Sequence, residues 1–217
     1  ALNGALIVGR LAGGIDIPAG GGGEGGGDGV PAGEAMTRVD RRVARLRGIN
    51  VGTAKRIAMA DLRSMFESLG FGNVRTLLNS GNAVFDAGRS SAAANAKRIA
   101  DALIEHTGIA ANTVVLTAKD LDVAIAANPF IARIDDPSRM LLGFMTAGTD
   151  RGPLKALVEG AAKDETVALV AQTLYLWCPH GILESKVAET LIGPKFRHLV
   201  TTRNWGTVRK LQAIAAG

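Results

Sequence analysis

Residues 43–85 read VARLRGINVGTAKRIAMADLRSMFESLGFGNVRTLLNSGNAVF, and this stretch decides the fold. A short, mostly apolar segment, Val43–Leu46, predicts a buried strand that ends in a loop containing glycine. Apolar residues then recur at helical spacing from Met59 to Leu69, and Gly70 follows as a stop signal. The first part of the stretch therefore predicts a strand, a loop and a helix.

The second part of the stretch predicts a hairpin. Two short apolar segments within residues 74–85 flank a polar turn, in which Gly81 can take the positive φ that a tight hairpin needs. Ser90 or Ser91 is a suitable cap for a following amphipathic helix, and Thr113–Leu116 predicts a fourth strand. The order is β-α-β-β-α-β, which is the ferredoxin-like plan of an antiparallel sheet with two helices on one face.

The same order of elements is predicted again further along the chain. Thr117 and Asp120 form a capping-box pattern for a connector helix that stops at Asn128. Later segments predict a strand at Met140–Met145, a helix entered at Pro153, strands at Thr166–Val170 and Thr173–Trp177, a helix at Ile182–Ile192 and a last helix at Trp205–Ala215. We therefore predict an α+β protein of two ferredoxin-like subdomains, residues 36–128 and residues 129–217, with a C-terminal helix.

The first 35 residues differ from the rest of the chain. Their run Ala19–Gly29 is mostly glycine, which has no side chain to bury and costs backbone entropy to order. We expect residues 1–35 to be a flexible leader that contributes nothing to folding. Met36 opens the sequence that leads into the first strand, so the leader is interpreted as a mis-assigned start.

No targeting or membrane segment is predicted. The apolar run Ala5–Val8 is shorter than the roughly 7 to 15 residues of a signal-peptide core. No span reaches the about 20 apolar residues of a membrane helix. The sequence therefore predicts a cytoplasmic protein that has no membrane partner.

The charge of the chain leaves an anionic partner open. Its composition, 47% hydrophobic and 21% charged residues, is that of a globular protein, and its formal net charge is +5. The leader holds one arginine against four acidic residues, a net −3, so the remainder of the chain carries +8. Clustered cations attract phosphate groups, although the same balance also fits cations that are spread evenly over the surface.

Three polar motifs resemble one known family. They are the RGIN motif (Arg47–Asn50), the SGN motif (Ser80–Asn82) and the TTRNW motif (Thr201–Trp205). Together they are similar to the bacterial proteins grouped as domain of unknown function 1697, whose activity is not assigned. The chain departs from the family pattern at Thr53, where a second glycine is usual, and at Ala83, where a β-branched residue is common. Neither change affects the inference about the fold.

These motifs also supply the candidate site. Turns and strand ends that carry arginine, asparagine and serine can converge at one sheet edge, and backbone N–H groups between Gly48 and Gly52 can hold an anion. The loop matches neither a Walker loop nor the GxGxxG pattern. The alternative is that these groups pin loops by hydrogen bonds. The candidate ligand-binding residues are Arg47, Gly48, Asn50, Gly52, Ser80, Asn82, Arg203 and Asn204.

Two further functions stay open beside a small-molecule or nucleotide-binding protein. One is a nonspecific nucleic-acid binder that uses the basic body of the chain, with weak binding because aromatic base readers are few. The other is an interaction module in which the polar motifs are only structural. Whether the protein is an enzyme, and its oligomeric state, are left open by the sequence.

No metal or cofactor is predicted. The one cysteine, Cys178, excludes an intrachain disulfide, and the three histidines lack the spacing of metal ligands. Cys178 and His180 are two residues apart with a proline between them, a geometry that does not favour a thiol nucleophile beside its base. The ligand expected from the sequence is a small anion.

Overall fold

A computed structural model describes residues 6–7, 40–51, 56–145, 148–161 and 166–217. Leu6–Ile7 forms a two-residue strand, β1, which pairs in parallel with Ala168 and Leu169. The rest of the predicted leader lies outside the described residues, and so does Gly52. Within the described part of the chain, no helix is both long enough and apolar enough to cross a bilayer. The cytoplasmic location stays a prediction.

The first unit has the ferredoxin-like order of elements. Its four strands are arranged β3-β4-β2-β5, and every neighbouring pair is antiparallel. The turn between β3 and β4 contains Gly81 at φ 79°, as predicted. The elements are β2 (Asp40–Arg47), α1 (Met59–Ser68), β3 (Gly72–Leu77), β4 (Asn82–Ala87), α2 (Ala92–Thr107) and β5 (Asn112–Thr117).

A short helix, α3 (Ala118–Ala126), follows β5 directly. The predicted capping box is present, because Thr117 Oγ1 accepts from the Asp120 amide at 2.9 Å and Asp120 Oδ2 accepts from the Thr117 amide at 3.2 Å. A 3-10 helix at Ile131–Arg133 comes next. The connector helix therefore forms where the sequence predicts it.

The second unit repeats the same topology. Its sheet has the order β1-β7-β8-β6-β9, in which β1 adds a parallel edge strand to four antiparallel strands. The chain ends in the predicted amphipathic helix. The elements are β6 (Met140–Phe144), α4 (Gly152–Glu159), β7 (Thr166–Val170), β8 (Thr173–Trp177), α5 (Lys186–Ile192), β9 (Thr201–Asn204) and α6 (Trp205–Ala216).

The structure corrects two of the predicted elements. The segment Ile182–Ile192 is not one helix: a 3-10 turn at Ile182–Glu184 precedes α5, because the Ser185 hydroxyl caps the Ala188 amide at 3.0 Å and starts a new helix. Strand β9 is the last strand that the ferredoxin-like plan of the second unit requires, but the sequence did not identify its residues. Its residues pair with β6, Thr201 opposite Phe144 and Arg203 opposite Leu142, and this long-range pairing makes a strand of a polar segment.

The two sheets face each other across a shared apolar core. This inter-sheet core includes Val43 and Val84 from the first sheet and Leu142 and Tyr175 from the second, with residues of α3 and α6 packed among them. On the outer side of the first sheet, α1 and α2 cover a separate core. On the outer side of the second sheet, α4 and α5 cover another. The β2 strand thus has both of its faces buried.

Arg45 lies inside the inter-sheet core without a hydrogen-bonding partner. It is 0% exposed, and no acceptor in the described part of the chain pairs with its Nε, Nη1 or Nη2 atom. Its guanidinium stacks over the Phe144 ring, with Cζ 3.4 Å from the ring centroid. Burial, and after it the nearby charge of Arg203, holds the pKa of Arg45 well below its usual value. A cation–π contact is worth about 2 kcal/mol when desolvated, less than the several kcal/mol that burying an ion costs.

We therefore expect Arg45→Met to stabilise the protein. Methionine keeps an unbranched side chain over Phe144 and removes the buried charge, so the free energy of unfolding should rise by about 1–4 kcal/mol. Urea denaturation of both proteins measures the change.

Arg45→Lys is the matched control, because it keeps a cation at the same place and should bring no gain in stability. If Arg45→Met is instead destabilising, the guanidinium has a partner that compensates its charge.

Candidate functional site

Arg47 joins the first unit to the second. It ends β2, and its guanidinium donates hydrogen bonds to carbonyl oxygens of the other unit, among them Val200 O at 2.7 Å. The remaining acceptors are the carbonyl oxygens of Leu191, Ile192, Gly193 and Phe196. Three of these lie at the C-terminal end of α5, where unpaired carbonyls and the helix dipole favour a cation. Arg47 therefore caps α5 across the junction.

Arg203 makes the reverse connection. It lies on β9 in the second unit, is 9% exposed, and sends its Nη2 atom to Leu46 O at 2.9 Å, Ser80 O at 2.8 Å and Gly81 O at 3.2 Å in the first unit. Its Nε atom donates to Asn82 Oδ1. Burial, and after it the charge of Arg47, lowers the pKa of Arg203 to about 10. This guanidinium holds the β3–β4 turn against β9.

The SGN motif is built around these contacts. Asn82 is fully buried and donates through Nδ2 to Leu77 O at 2.9 Å and to Ser80 Oγ at 3.0 Å. A Cβ atom on Gly81 would lie 2.9 Å from Leu46 O, so this glycine permits the close approach of the turn to β2. Asn82 and Gly81 shape the turn, and only Ser80 remains exposed.

Asn50 and Asn204 hold local backbone. Asn50 donates to Asn79 O at 2.8 Å and accepts from the Ile57 amide at 2.8 Å, so it links two loops. Asn204 accepts from the Thr207 amide at 2.9 Å and caps α6, as its position before Trp205 indicates. Both side chains therefore use their hydrogen bonds to hold local structure, Asn50 between two loops and Asn204 at the start of α6.

An open pocket of about 900 Å³ lies where the two units meet, and we call it the junction pocket. Four of the candidate residues line it, namely Arg47, Gly48, Ser80 and Arg203, whereas Asn50, Asn82 and Asn204 do not. Four further polar residues line it that were not among the candidates: Asn112, Arg197, His198 and Thr202. Thr202 lies inside a motif, but nothing local in the sequence distinguishes Arg197 and His198 from other exposed polar residues.

The junction pocket is electropositive. Three arginines, Arg47, Arg197 and Arg203, line it, and no carboxylate is among the described residues around it. Burial, and after it the charge of Arg197, lowers the pKa of Arg47. The arginines therefore repel one another, and an anion placed between them would relieve that repulsion.

A second, smaller pocket has a different character. Its volume is about 330 Å³, and it is lined mainly by alanine, valine and aromatic side chains, including Val115, Ala124 and Phe144. Tyr175 lines it and donates to Ala124 O at 2.6 Å, while burial raises the pKa of this tyrosine to about 12. A neutral, hydrogen-bonded phenol in an apolar cleft does not form a proton-transfer site near neutral pH.

The described residues hold no group of three or more His, Cys, Asp or Glu side chains that could ligate a metal. Cys178 is buried, whereas His180 is exposed, so the two side chains lie in different environments.

Comparison with known proteins agrees with the fold and the motifs. Residues 39–175 match the family described as protein of unknown function (DUF1697). The chain belongs to this family. The match ends within β8, so β9, Arg203 and the TTRNW motif lie beyond it. No curated protein matches the chain.

A solved structure shows the same architecture over most of the DUF1697 chain. It is the structure of the conserved bacterial protein SP0830 from Streptococcus pneumoniae, with a TM-score of 0.70 and 25% sequence identity. The likeness covers 82% of this chain and 99% of the other. The likeness therefore extends beyond one ferredoxin-like unit.

The geometry predicts that Arg203 is needed for stability. Arg203→Ala leaves the buried acceptors Leu46 O, Gly81 O and Asn82 Oδ1 without their donor, and we expect the free energy of unfolding to fall by about 3 kcal/mol or more. An arginine that contacts only a ligand would cost about 1 kcal/mol or less. Urea denaturation distinguishes the two values.

Arg133→Ala is the matched control. Arg133 is exposed, makes no side-chain hydrogen bond with described residues, and should change stability by no more than about 0.5 kcal/mol. Equal effects of the two substitutions would mean that Arg203 does not hold the units together.

Proposed function

We propose that the protein binds a small anionic ligand in the junction pocket. The observation that carries the proposal is the convergence of Arg47, Arg197 and Arg203 on one open pocket that has no carboxylate among its described lining residues. Buried or half-buried cations without anionic partners are costly, and an anion supplies the missing charge. The proposed activity is binding.

The three arginines have different roles in this proposal. The guanidinium groups of Arg47 and Arg203 are occupied by carbonyl oxygens, so they contribute their charge. Arg197 is exposed, and within the described part of the chain its guanidinium has no hydrogen-bond acceptor. Arg197 is therefore the arginine that contacts the ligand directly.

Neutral donors complete the site. Ser80 Oγ accepts a hydrogen bond from Asn82, so its own hydroxyl proton remains available to an anion. Thr202 lines the same pocket from the opposite unit. A ligand held by Ser80 and Thr202 would contact both units at once.

Inorganic phosphate is the first probe, and Arg197→Gln is the test. We expect phosphate to raise the melting temperature of the protein and Arg197→Gln to weaken phosphate binding about 5- to 10-fold, which corresponds to about 1–1.4 kcal/mol. Thermal shift at constant ionic strength and titration calorimetry measure the two effects.

Arg133→Gln controls for general effects of phosphate and of net charge. Phosphate stabilises many proteins through exclusion from their surface, and that contribution is the same in both variants. If Arg197→Gln and Arg133→Gln respond alike, the ligand does not bind in the junction pocket.

Nucleic acid is the second candidate partner that the sequence predicts. Whether it could be bound through its bases depends on the aromatic residues of the strands. Phe85, Phe144, Tyr175 and Trp177 are all buried. None of the four offers an exposed ring on which a base could stack. We expect any binding of labelled single or double strands in fluorescence anisotropy to be weak, insensitive to sequence and lost as salt rises. Sequence preference that survives physiological salt would contradict this expectation.

A further inference from the structure

The junction pocket has an apolar wall as well as basic groups. Three large apolar side chains line it and stay exposed to solvent: Val51 at 65%, Ile104 at 50% and Ile192 at 46%. Only seven large apolar side chains are exposed among the described residues, so nearly half of them lie at this one pocket. Exposed apolar side chains that cluster in a concave site indicate a binding surface.

The wall is assembled from separate parts of the fold. Val51 follows the RGIN motif, Ile104 lies on α2, and Ile192 ends α5 in the second unit. Ala110 and Ala111 continue the wall towards β5. The wall and the arginines therefore line one pocket together, and a single ligand can contact both.

The size of the pocket also argues for more than an inorganic ion. Ligand pockets of about 300–1,000 Å³ enclose molecules of drug size, and the junction pocket holds about 900 Å³. Phosphate alone would leave most of this volume and the whole apolar wall in water.

We infer that the ligand of the junction pocket is an amphiphilic anion, in which one phosphate or carboxylate group is attached to an aromatic or branched aliphatic body. This inference rests on the proposed anion-binding function and adds the chemistry of the rest of the ligand. The anionic group lies at Arg197 and the body lies on Val51, Ile104 and Ile192. A polyhydroxylated body, such as that of a sugar phosphate, would place hydroxyl groups against the apolar wall without partners.

Two phosphate monoesters test the inference, phenyl phosphate and glycerol phosphate, because they carry the same anionic group on an apolar and a polar body. We expect phenyl phosphate to bind about 10-fold more tightly at pH 8 in titration calorimetry. That ratio corresponds to burial of roughly 60 Å² of apolar surface at about 25 cal/mol per Å².

The Ile104→Gln variant tests whether the apolar wall causes the preference for phenyl phosphate over glycerol phosphate. Glutamine is close to isoleucine in size and is at least as good a helix former, so we expect the preference for phenyl phosphate to fall about 3- to 5-fold while glycerol phosphate binds as before. Ile131→Gln is the matched control, since Ile131 is 53% exposed and lies outside the pocket. It should leave both affinities unchanged.

The outcomes separate the two levels of the proposal. If neither ester nor inorganic phosphate binds, the proposed function fails and this inference fails with it. If both esters bind equally, or if Ile104→Gln does not change their ratio, the inference about the body of the ligand is wrong while anion binding stands.

Discussion

The relative position of the two units depends on an exchange of arginines across their junction. The Arg47 side chain extends from the first unit and caps the end of α5. The Arg203 side chain extends from the second unit and binds the carbonyl oxygens of Leu46 and of the β3–β4 turn. Each guanidinium donates hydrogen bonds to carbonyl oxygens and not to a carboxylate. Hydrogen-bond geometry, and not an ion pair, therefore fixes the position of each side chain. Because a planar guanidinium has five N–H donors in a fixed arrangement, several backbone segments are held in register by one side chain.

This exchange concentrates positive charge where the units meet. Arg203 lowers the pKa of Arg45, and Arg47 lowers that of Arg203, in both cases after the larger effect of burial. The apolar contacts of the inter-sheet core, such as those of Trp205, Val208 and Leu211, oppose this repulsion. The open electropositive pocket lies directly beside Arg47 and Arg203.

The order of elements could be read from the sequence because it depends on local patterns. The helical spacing in α1, the capping box of Thr117 and the Asn204 cap all act within a few residues. The residues of strand β9 were not identified, although the plan of the second unit implied such a strand, because the four polar residues Thr201–Asn204 carry no apolar alternation. Its strand conformation comes from pairing with β6.

The candidate site was only partly predictable for a related reason. Two interpretations of the motif arginines and asparagines were open from the sequence, namely that they converge on a polar pocket or that they pin loops by hydrogen bonds, and the structure gives these residues different roles. Asn50, Asn82 and Asn204 hold turns and a helix end, while Arg47 and Arg203 reach over into the opposite unit. Arg45 shows the limit most clearly. It lies within Val43–Leu46, which the sequence predicts as a buried strand, but no local pattern indicates that its charged side chain packs between two sheets. Only the packing of a second sheet over β2 buries it.

The segment between α5 and β9 connects the junction to the pocket. Residues 193–200 supply carbonyl oxygens to Arg47 from Gly193, Phe196 and Val200, and the same segment carries Arg197 into the pocket. Asn112 of β5 also holds this segment, through a hydrogen bond to Arg197 O at 3.1 Å. An anion bound by Arg197 would therefore be held on backbone that both units already fix. The backbone of such a site needs little ordering when a ligand binds, so the loss of conformational entropy is confined to the exposed Arg197 side chain.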